Sequence, residues 1–175
     1  MPNRTAARVR ACYTGRVETS ALTTLKEFGK VELNMGGPSL RQHHAHHAIH
    51  EGALSGAIDK TEELEELIQT EGIENARQAA DQLLGYWVTR VLSHADAEEE
   101  GFYEEMAGED PDLKLAVVKL TRDHDILRMI VADLVTQLPK SGPTPEMMRL
   151  FYSLITVNAI HSREEERLLF EERSK

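Results

Sequence analysis

The sequence predicts an all-α protein, an antiparallel up-down-up-down four-helix bundle with an extra N-terminal segment. Four long stretches of the 175-residue chain carry apolar residues at alternating steps of three and four, the spacing of one helix face. Proline and glycine gather in short breaks between these stretches. Because such short connections make consecutive helices double back, the helices should pack as antiparallel neighbours.

The first break sets the start of the bundle. Helix one should begin at Ser39, after the Gly-Gly-Pro sequence at 36–38, and run to about Gln69. A Glu-Gly break at 71–72 then separates it from helix two, which should run to about Met106.

The later breaks carry clear capping signals. Asp110 can cap helix three, with a proline at its first position, and this helix should end near Leu138. The proline-rich break at 139–143 should stop it. Thr144, again followed by proline, can cap helix four, which should run almost to the C-terminus.

Residues 1–37 stand apart from the bundle, which we place at 38–175. Four arginines precede the first acid, Glu18, and no apolar core follows them, so the segment is interpreted as a basic tail and not as a secretory signal. A transit peptide is the alternative. Residues 20–28 can form a short helix.

Composition excludes several functional classes. With 20 Lys and Arg against 30 Asp and Glu, the net charge of −10 argues against an extended groove for nucleic acid. No apolar run approaches the roughly 20 residues that a membrane span needs. The single cysteine, Cys12, leaves no internal disulfide and fits a reducing compartment, so we expect a cytoplasmic protein.

Four histidines and two glutamates form the candidate metal site. All six fall on the inward stripes of the predicted helices, where a solvated side chain is not expected. Two pairs have the spacing His-x-x-x-Glu, which places both side chains on one face of one helix. Imidazole binds iron, zinc, copper or nickel, and carboxylates can bridge two ions. The predicted ligands are His50, His94, Glu98, His124, His161 and Glu165.

The predicted helix bounds place the four histidines at one level. Each lies about 11 to 13 residues from the same end of the bundle, so at about 1.5 Å per residue their heights differ by only a few Å. Six polar side chains buried together without a cation would be costly. A structural role in the core is the alternative for any one histidine, but not for the set.

The two His-x-x-x-Glu segments also form an internal repeat, 94–99 and 161–166. The glutamate four residues after the histidine is shared and points inward. The next position is turned about 140° from the histidine, so Glu99 and Glu166 are expected to be surface charges. The same expectation holds for Glu100 and Glu164.

Other polar residues near the predicted site have alternative roles. His43 and His47 are expected on the inward stripe beyond His50, where they can line an access path, and His47 can be an alternate ligand. No role is predicted for His44 and His46; the alternative for all four is partial exposure without function. Asn158 can form a hydrogen bond behind the ligands or fill a core gap. Arg128 can pair with a site carboxylate or with a surface glutamate.

The chain resembles the hemerythrin-like (HHE cation-binding) family over about residues 39–172. Four segments carry the likeness, in the same order and spacing: 50–54, 94–103, 123–127 and 161–170. The set of four histidines and two glutamates is closest to that of the Repair of Iron Centers di-iron proteins, whose N-terminal cysteine-bearing domain has no counterpart in this sequence.

The resemblance implies a non-haem di-iron centre. Each of two iron ions would be held by two of the four histidines. Glu98 and Glu165 would bridge the ions together with an oxo or hydroxo group, leaving a position for a small ligand. Oxygen-carrying hemerythrins differ at two places: they have a histidine where Arg128 stands, and an aspartate five residues after the last-helix histidine, whereas Glu165 is at four.

Two functional readings follow. The first is a di-iron oxidoreductase that reacts with oxygen, peroxide or nitric oxide, in redox or nitrosative stress defence or in iron-centre repair. The second is reversible binding of oxygen or nitric oxide, as a carrier, store or sensor. Arg128 favours the first, because a guanidinium near the centre would stabilise a developing peroxide-level anion. Iron handling, or zinc in place of iron, are further alternatives.

Overall fold

In the computed structural model, the described residues are 38–70 and 72–171, and they form helices joined by short turns, with no strand among them. The predicted all-helical class and its four helices are confirmed. The four helices are α1 (His43–Thr70), α2 (73–109), α3 (Lys114–Ser141) and α4 (Pro145–Glu166, extended by the π-helical Arg167–Glu171). The predicted tail at 1–37 lies outside the described residues.

Two of the predicted helix starts are confirmed in atomic detail. The Asp110 carboxylate accepts a hydrogen bond from the backbone N–H of Asp112, ahead of the short 3-10 turn that leads into α3. The Thr144 hydroxyl accepts one from the backbone N–H of Met147 in α4. Both caps satisfy donors that the first turn of a helix leaves free.

Two predicted bounds differ from the structure. A 3-10 turn, Pro38–Arg41, takes the place of the predicted start at Ser39. Helix α3 continues through Pro139 to Ser141, because a proline in the last turn removes one helical hydrogen bond without ending the helix. Gly142 then ends it with a φ of 67°, a conformation that favours glycine.

Helix α2 is interrupted by two π-helical turns, Trp87–Leu92 and Glu98–Phe102, on either side of the regular turn Ser93–Ala97. Single π-helical turns within α-helices are frequent at functional sites. The regular turn between them keeps His94 and Glu98 on one face.

A polar layer separates two apolar clusters in the core. The larger cluster includes Ala57 of α1, Leu83 of α2, Leu127 of α3 and Leu154 of α4. The smaller cluster lies at the opposite end and consists of Leu40, Phe102, Tyr103, Met106, Leu120 and Leu169. On every helix, the predicted ligands fall between the residues of these two clusters. The predicted common level of the ligands therefore corresponds to one layer of the bundle. None of the helices described is long and apolar enough to cross a membrane.

Candidate metal centre

The structure brings all six predicted ligands together in this polar layer. Each is buried, and the two glutamates are the most deeply buried of them. A seventh buried donor joins them, because His46 of α1 is also fully buried. The seven side chains are His46, His50, His94, Glu98, His124, His161 and Glu165.

Glu98 lies at the middle of the seven. Its Oε1 is 2.8 Å from Nε2 of His94 and 2.9 Å from Nε2 of His46. Its Oε2 is 3.3 Å from Nε2 of His124, on the other side. The two oxygens of one carboxylate therefore face two different groups of imidazoles, which is the placement a bridging ligand requires.

Glu165 lies closer to one of these groups. Its Oε2 is 3.1 Å from Nε2 of His46 and 3.3 Å from Nε2 of His50. The same oxygen is 4.0 Å from Nε2 of His161, the histidine of its own helix. Glu165 thus reaches between α4 and α1.

The donor atoms divide into two sets that share Glu98. The first set joins His46, His50, His94 and Glu98, and the second joins Glu98, His124 and His161; within each set the donor atoms lie within 4.8 Å of one another. Each set offers the imidazole and carboxylate donors that transition metals bind.

The expected inward placement of His43 and His47 on the first helix was wrong, and the alternative, that they are partly exposed, agrees with the structure. His43 is exposed, and the His47 side chain is 44% exposed, with its Nδ1–H donating to Glu166. His46 takes the inward position, one turn before His50. Both 46 and 47 are compatible with a helical stripe that includes position 50, and the seating of α1 in the bundle decides between them.

The imidazoles share one orientation, with Nε2 toward the centre and Nδ1 outward. Four of the outward nitrogens have an acceptor nearby on the protein, and two of them form hydrogen bonds. His46 donates to the Leu40 carbonyl at 2.9 Å, and His124 donates to Glu99 at 2.7 Å. Nδ1 of His50 lies 3.5 Å from Glu166, and Nδ1 of His161 lies 3.8 Å from Asp123. An acceptor at Nδ1 fixes the tautomer that leaves the Nε2 lone pair free for a metal ion.

Glu99 and Glu166 are not the surface charges that the sequence predicted. The Glu99 side chain is 26% exposed and holds His124, while Glu166 is 15% exposed and lies 3.5 Å from Nδ1 of His50. In each repeat, the glutamate five residues after the histidine points away from that histidine and toward a histidine of a neighbouring helix.

Arg128 supports Glu99 and does not face the centre. Its guanidinium donates to Glu99 at 3.0 Å and to Asp96 at 2.6 Å. Because its charge is directed to these two acids, the structure gives no support to a direct effect of Arg128 on an anion at the centre. Arg128 instead anchors the carboxylate that orients His124.

Unpaired polar atoms test whether these residues fit a metal centre. Among the described residues, ten buried side-chain polar atoms have no hydrogen-bond partner, and all but Trp87 Nε1 and Ser162 Oγ belong to the predicted ligands or to Tyr103. Buried polar groups are nearly always paired, so this concentration in one layer is unusual. Metal ions bound at the centre would satisfy four of them, namely Nε2 of His94, Oε2 of Glu98 and both carboxylate oxygens of Glu165.

The charges of the layer are strongly coupled. Burial alone would raise the pKa of Glu98, but the facing imidazoles of His124, His46, His50 and His94 lower it well below its usual value. Burial would lower the pKa of His46, and hydrogen bonds with Glu165 and Glu98 raise it to about 10. Both shifts show an anionic centre that attracts positive charge, whether from a proton or from a metal ion.

Tyr103 is a site residue that sequence reasoning missed. It is 1% exposed, its ring stacks on His124 with 5.8 Å between centroids, and its hydroxyl has no hydrogen-bond partner. Burial, together with the charges of Glu98 and Glu165, raises the pKa of the phenol well above its usual value. Tyr103 thus keeps its proton beside the two carboxylates.

A small cavity lies beside the centre, and Tyr103 is not among its lining residues. It holds about 10 Å³, which is room for one water-sized molecule. Asn158, 5% exposed, is the cavity's one polar lining residue besides the predicted ligands. The lining residues are His50, Ala53, Val91, His94, Ala95, Glu98, His124, Leu127, Asn158 and His161.

Comparison with known families agrees with this geometry. The sequence profile of the hemerythrin HHE cation binding domain matches residues 38–172. The chain belongs to the hemerythrin family. No curated protein and no solved structure gives a significant match to this chain. The match covers all four helices, so the histidine and glutamate cluster lies within the family's cation-binding domain.

The missed residues of this hemerythrin carried weak signals in the sequence. His46 precedes His50 by four residues, the same step that joins His94 to Glu98. The glutamates at 99 and 166 occupy matching places in the internal repeat. A glutamate five residues after the histidine in both copies was the available indication that Glu99 and Glu166 have the same role.

Proposed function

We propose that the protein holds two iron ions in this layer and uses them to react with oxygen, peroxide or nitric oxide. The observation that carries the proposal is Glu98, which presents one oxygen to each of two donor sets. Five imidazoles and two carboxylates are more donors than one tetrahedral zinc ion accepts. Carboxylate-bridged pairs within helical bundles are typical of di-iron proteins.

The helix order of the bundle supports the shared level of these donors. Along α1 and α3 the chain passes from the smaller apolar cluster to the larger, and along α2 and α4 it passes back. We infer from this alternation that the bundle is antiparallel, up-down-up-down. One end of every helix therefore contributes to the same layer.

The cavity limits what can reach the centre. A volume of about 10 Å³ holds about one water-sized molecule, so it favours a very small ligand over an organic substrate. The apolar side chains of Ala53, Val91 and Leu127 exclude bulk water around it. The Asn158 amide is placed to donate a hydrogen bond to a molecule held there.

Tyr103 favours chemical turnover over simple storage. Iron ions at this place would supply electrons to a bound oxidant, and the reduction of oxygen or peroxide also consumes protons. The buried phenol of Tyr103 stacks on His124, which lines the cavity, so it can supply a proton to the centre without admitting water. Defence against oxidative or nitrosative stress, or the repair of iron centres as in the Repair of Iron Centers proteins, fits such chemistry.

Reversible binding of oxygen or nitric oxide is the second candidate. His46 favours it, because a fifth imidazole restores the histidine number that the oxygen carriers have and that Arg128 removes from α3. The position of Arg128, turned toward Glu99 and Asp96, also weakens the sequence-based argument that its guanidinium stabilises a peroxide-level anion at the centre.

The metal content tests the proposed centre directly. We expect protein produced in iron-replete medium to contain close to two iron ions per chain, because two donor sets are present. Elemental analysis by plasma mass spectrometry, with protein concentration from amino-acid analysis, measures this ratio. One zinc ion per chain with little iron would exclude the di-iron centre.

Exposure to oxygen distinguishes turnover from storage. We expect anaerobic ferrous protein to oxidise promptly to the diferric state in air, because Tyr103 can supply a proton to reduced oxygen. The visible spectrum is followed in air and then under argon. A stable oxygenated band that returns to the ferrous spectrum under argon would establish the carrier function instead. The Tyr103→Phe variant is the matched control, and its oxidation should be slower.

A further inference from the structure

We propose that divalent metal ions enter the buried centre along a row of alternating carboxylates and imidazoles that begins at the surface of α1. The row consists of Glu51, His47, Glu166 and His50, and we call it the entry route. Glu166 belongs to α4, and the other three belong to α1. The entry route rests on the proposed function, because a passage for ions requires a centre that holds them.

The exposed fraction of the side chains falls at every step of the entry route. It is 72% for Glu51, 44% for His47, 15% for Glu166 and 7% for His50. Beyond His50 lies Glu165, a fully buried carboxylate of the centre. Donors of the kinds that transition metals bind are therefore continuous from solvent to the polar layer.

The distances between successive side chains are short. Nε2 of His47 is 3.5 Å from Glu51, and Nδ1 of His47 is 2.9 Å from Oε2 of Glu166. Oε1 of Glu166 is 3.5 Å from Nδ1 of His50, whose Nε2 is 3.3 Å from Glu165. An ion can therefore exchange one ligand at a time and remain bound to the protein along the whole row.

His50 is the step that joins the surface to the centre. It is 6% exposed, and its outward Nδ1 has no hydrogen-bond partner. The ring of His46, by contrast, is held from outside because its Nδ1–H donates to the Leu40 carbonyl at 2.9 Å. A buried nitrogen without a partner is unusual. Because no hydrogen bond fixes its outer side, the His50 ring can turn and pass an ion from Glu166 inward.

The internal repeat provides a comparison within the same molecule. Glu99 is the counterpart of Glu166, and it lies beside His124 as Glu166 lies beside His50. The guanidinium of Arg128 donates to Glu99 at 3.0 Å, and this permanent positive charge repels a metal cation. His47 pairs with Glu166 where an arginine pairs with Glu99. Of these two matching carboxylates, Glu166 is therefore the one that a cation can reach.

The rate of metal loading tests the entry route on the full chain. Metal-free protein is mixed with Co²⁺ in a stopped-flow instrument, and binding is followed by the visible absorption of the ion. We expect the double variant His47→Ala/Glu51→Ala to load about tenfold more slowly, because acidic clefts raise the association rates of cations by at least about this factor.

The rate of metal release distinguishes passage from support of a ligand. A residue that serves only the passage of ions changes entry and exit by the same factor. Release of Co²⁺ to excess chelator should therefore slow as much as loading does. The dissociation constant, measured by calorimetry, should stay as in wild type. A residue that holds a metal ligand in place would change this constant instead.

The chain offers a matched control. The double variant His44→Ala/Glu63→Ala also removes one imidazole and one carboxylate from exposed positions of α1, and it should load as wild type does. The His47→Arg variant should load more slowly than the alanine variant, because it places a guanidinium beside Glu166 as Arg128 lies beside Glu99. Circular dichroism checks that all variants fold.

The outcomes separate the two proposals. Unchanged loading in the folded His47→Ala/Glu51→Ala variant would overturn the entry route and leave the dinuclear centre intact. Equal slowing in the control variant would do the same. A weaker dissociation constant with an unchanged loading rate would show that the row only supports His50. Binding of fewer than two cobalt ions by wild-type protein would overturn both proposals.

Discussion

Replacing Glu98 with alanine should reduce the metal content from two ions per chain to less than one. Glu98 is the only residue whose oxygens face both donor sets within the described part of the chain, 2.8 Å from His94 on one side and 3.3 Å from His124 on the other. Even residues that only support a ligand change metal affinity by about 10- to 100-fold. A shared ligand should cost at least about 100-fold, and at both ions.

The neighbouring Glu100 provides the control for this prediction. It lies two residues further along the same helix, is exposed, and its change to alanine removes the same charge. We expect Glu100→Ala to retain two ions. Glu98→Gln, which keeps the side-chain size, should lose metal as the alanine variant does and excludes a packing defect as the cause. Two ions in folded Glu98→Ala protein would contradict the central role of this carboxylate.

The common buried layer of these histidines could be predicted from the sequence, because the helical pattern was long and periodic. Four helical stripes, each with one histidine at a similar distance from a break, leave few arrangements in which those histidines do not meet. The buried positions of His94, His124 and His161 agree with that reasoning. Their role as metal ligands stays a prediction.

The orientation of α1 could not be predicted in the same way. Positions 46 and 47 both lie close to the stripe that contains His50, and about 100° of rotation separates them. The choice depends on how the turn at Pro38–Arg41 leads into the helix and on the Leu40 carbonyl that receives His46. Such contacts arise only when the helices pack.

Contacts between helices also explain why the supporting residues were missed. The histidine that Glu99 holds is on α3, and the histidine beside Glu166 is on α1. Helical periodicity predicts which residues of one helix are neighbours. It does not predict which residues of another helix they contact. Tyr103 stacks on His124 after a π-helical turn, which shifts the helical phase in a way that regular spacing does not anticipate.

Removing the metal should lower the melting midpoint of the protein by about 10–20 °C. An ion that binds only the folded state adds about 2.7 kcal/mol at 100 times its dissociation constant, so two ions add about 5 kcal/mol. For a chain of this length, each kcal/mol changes the midpoint by about 2–4 °C. Calorimetry or circular dichroism of metal-free protein, checked by elemental analysis, measures the change.

The metal-free protein should nevertheless remain folded, because a proton can replace part of the missing charge. Hydrogen bonds with Glu165 and Glu98 raise the pKa of His46 to about 10, so at neutral pH this imidazole carries a positive charge between the two carboxylates. One proton is a weaker substitute than two metal ions, and Glu165 and His94 retain unpaired atoms.

Ferrous iron added without oxygen should restore the midpoint. The Glu98→Ala variant should show little change on chelation, which separates site binding from a general effect of the chelator. An unchanged midpoint in verified metal-free wild-type protein would mean that ions bound to this layer do not stabilise the fold.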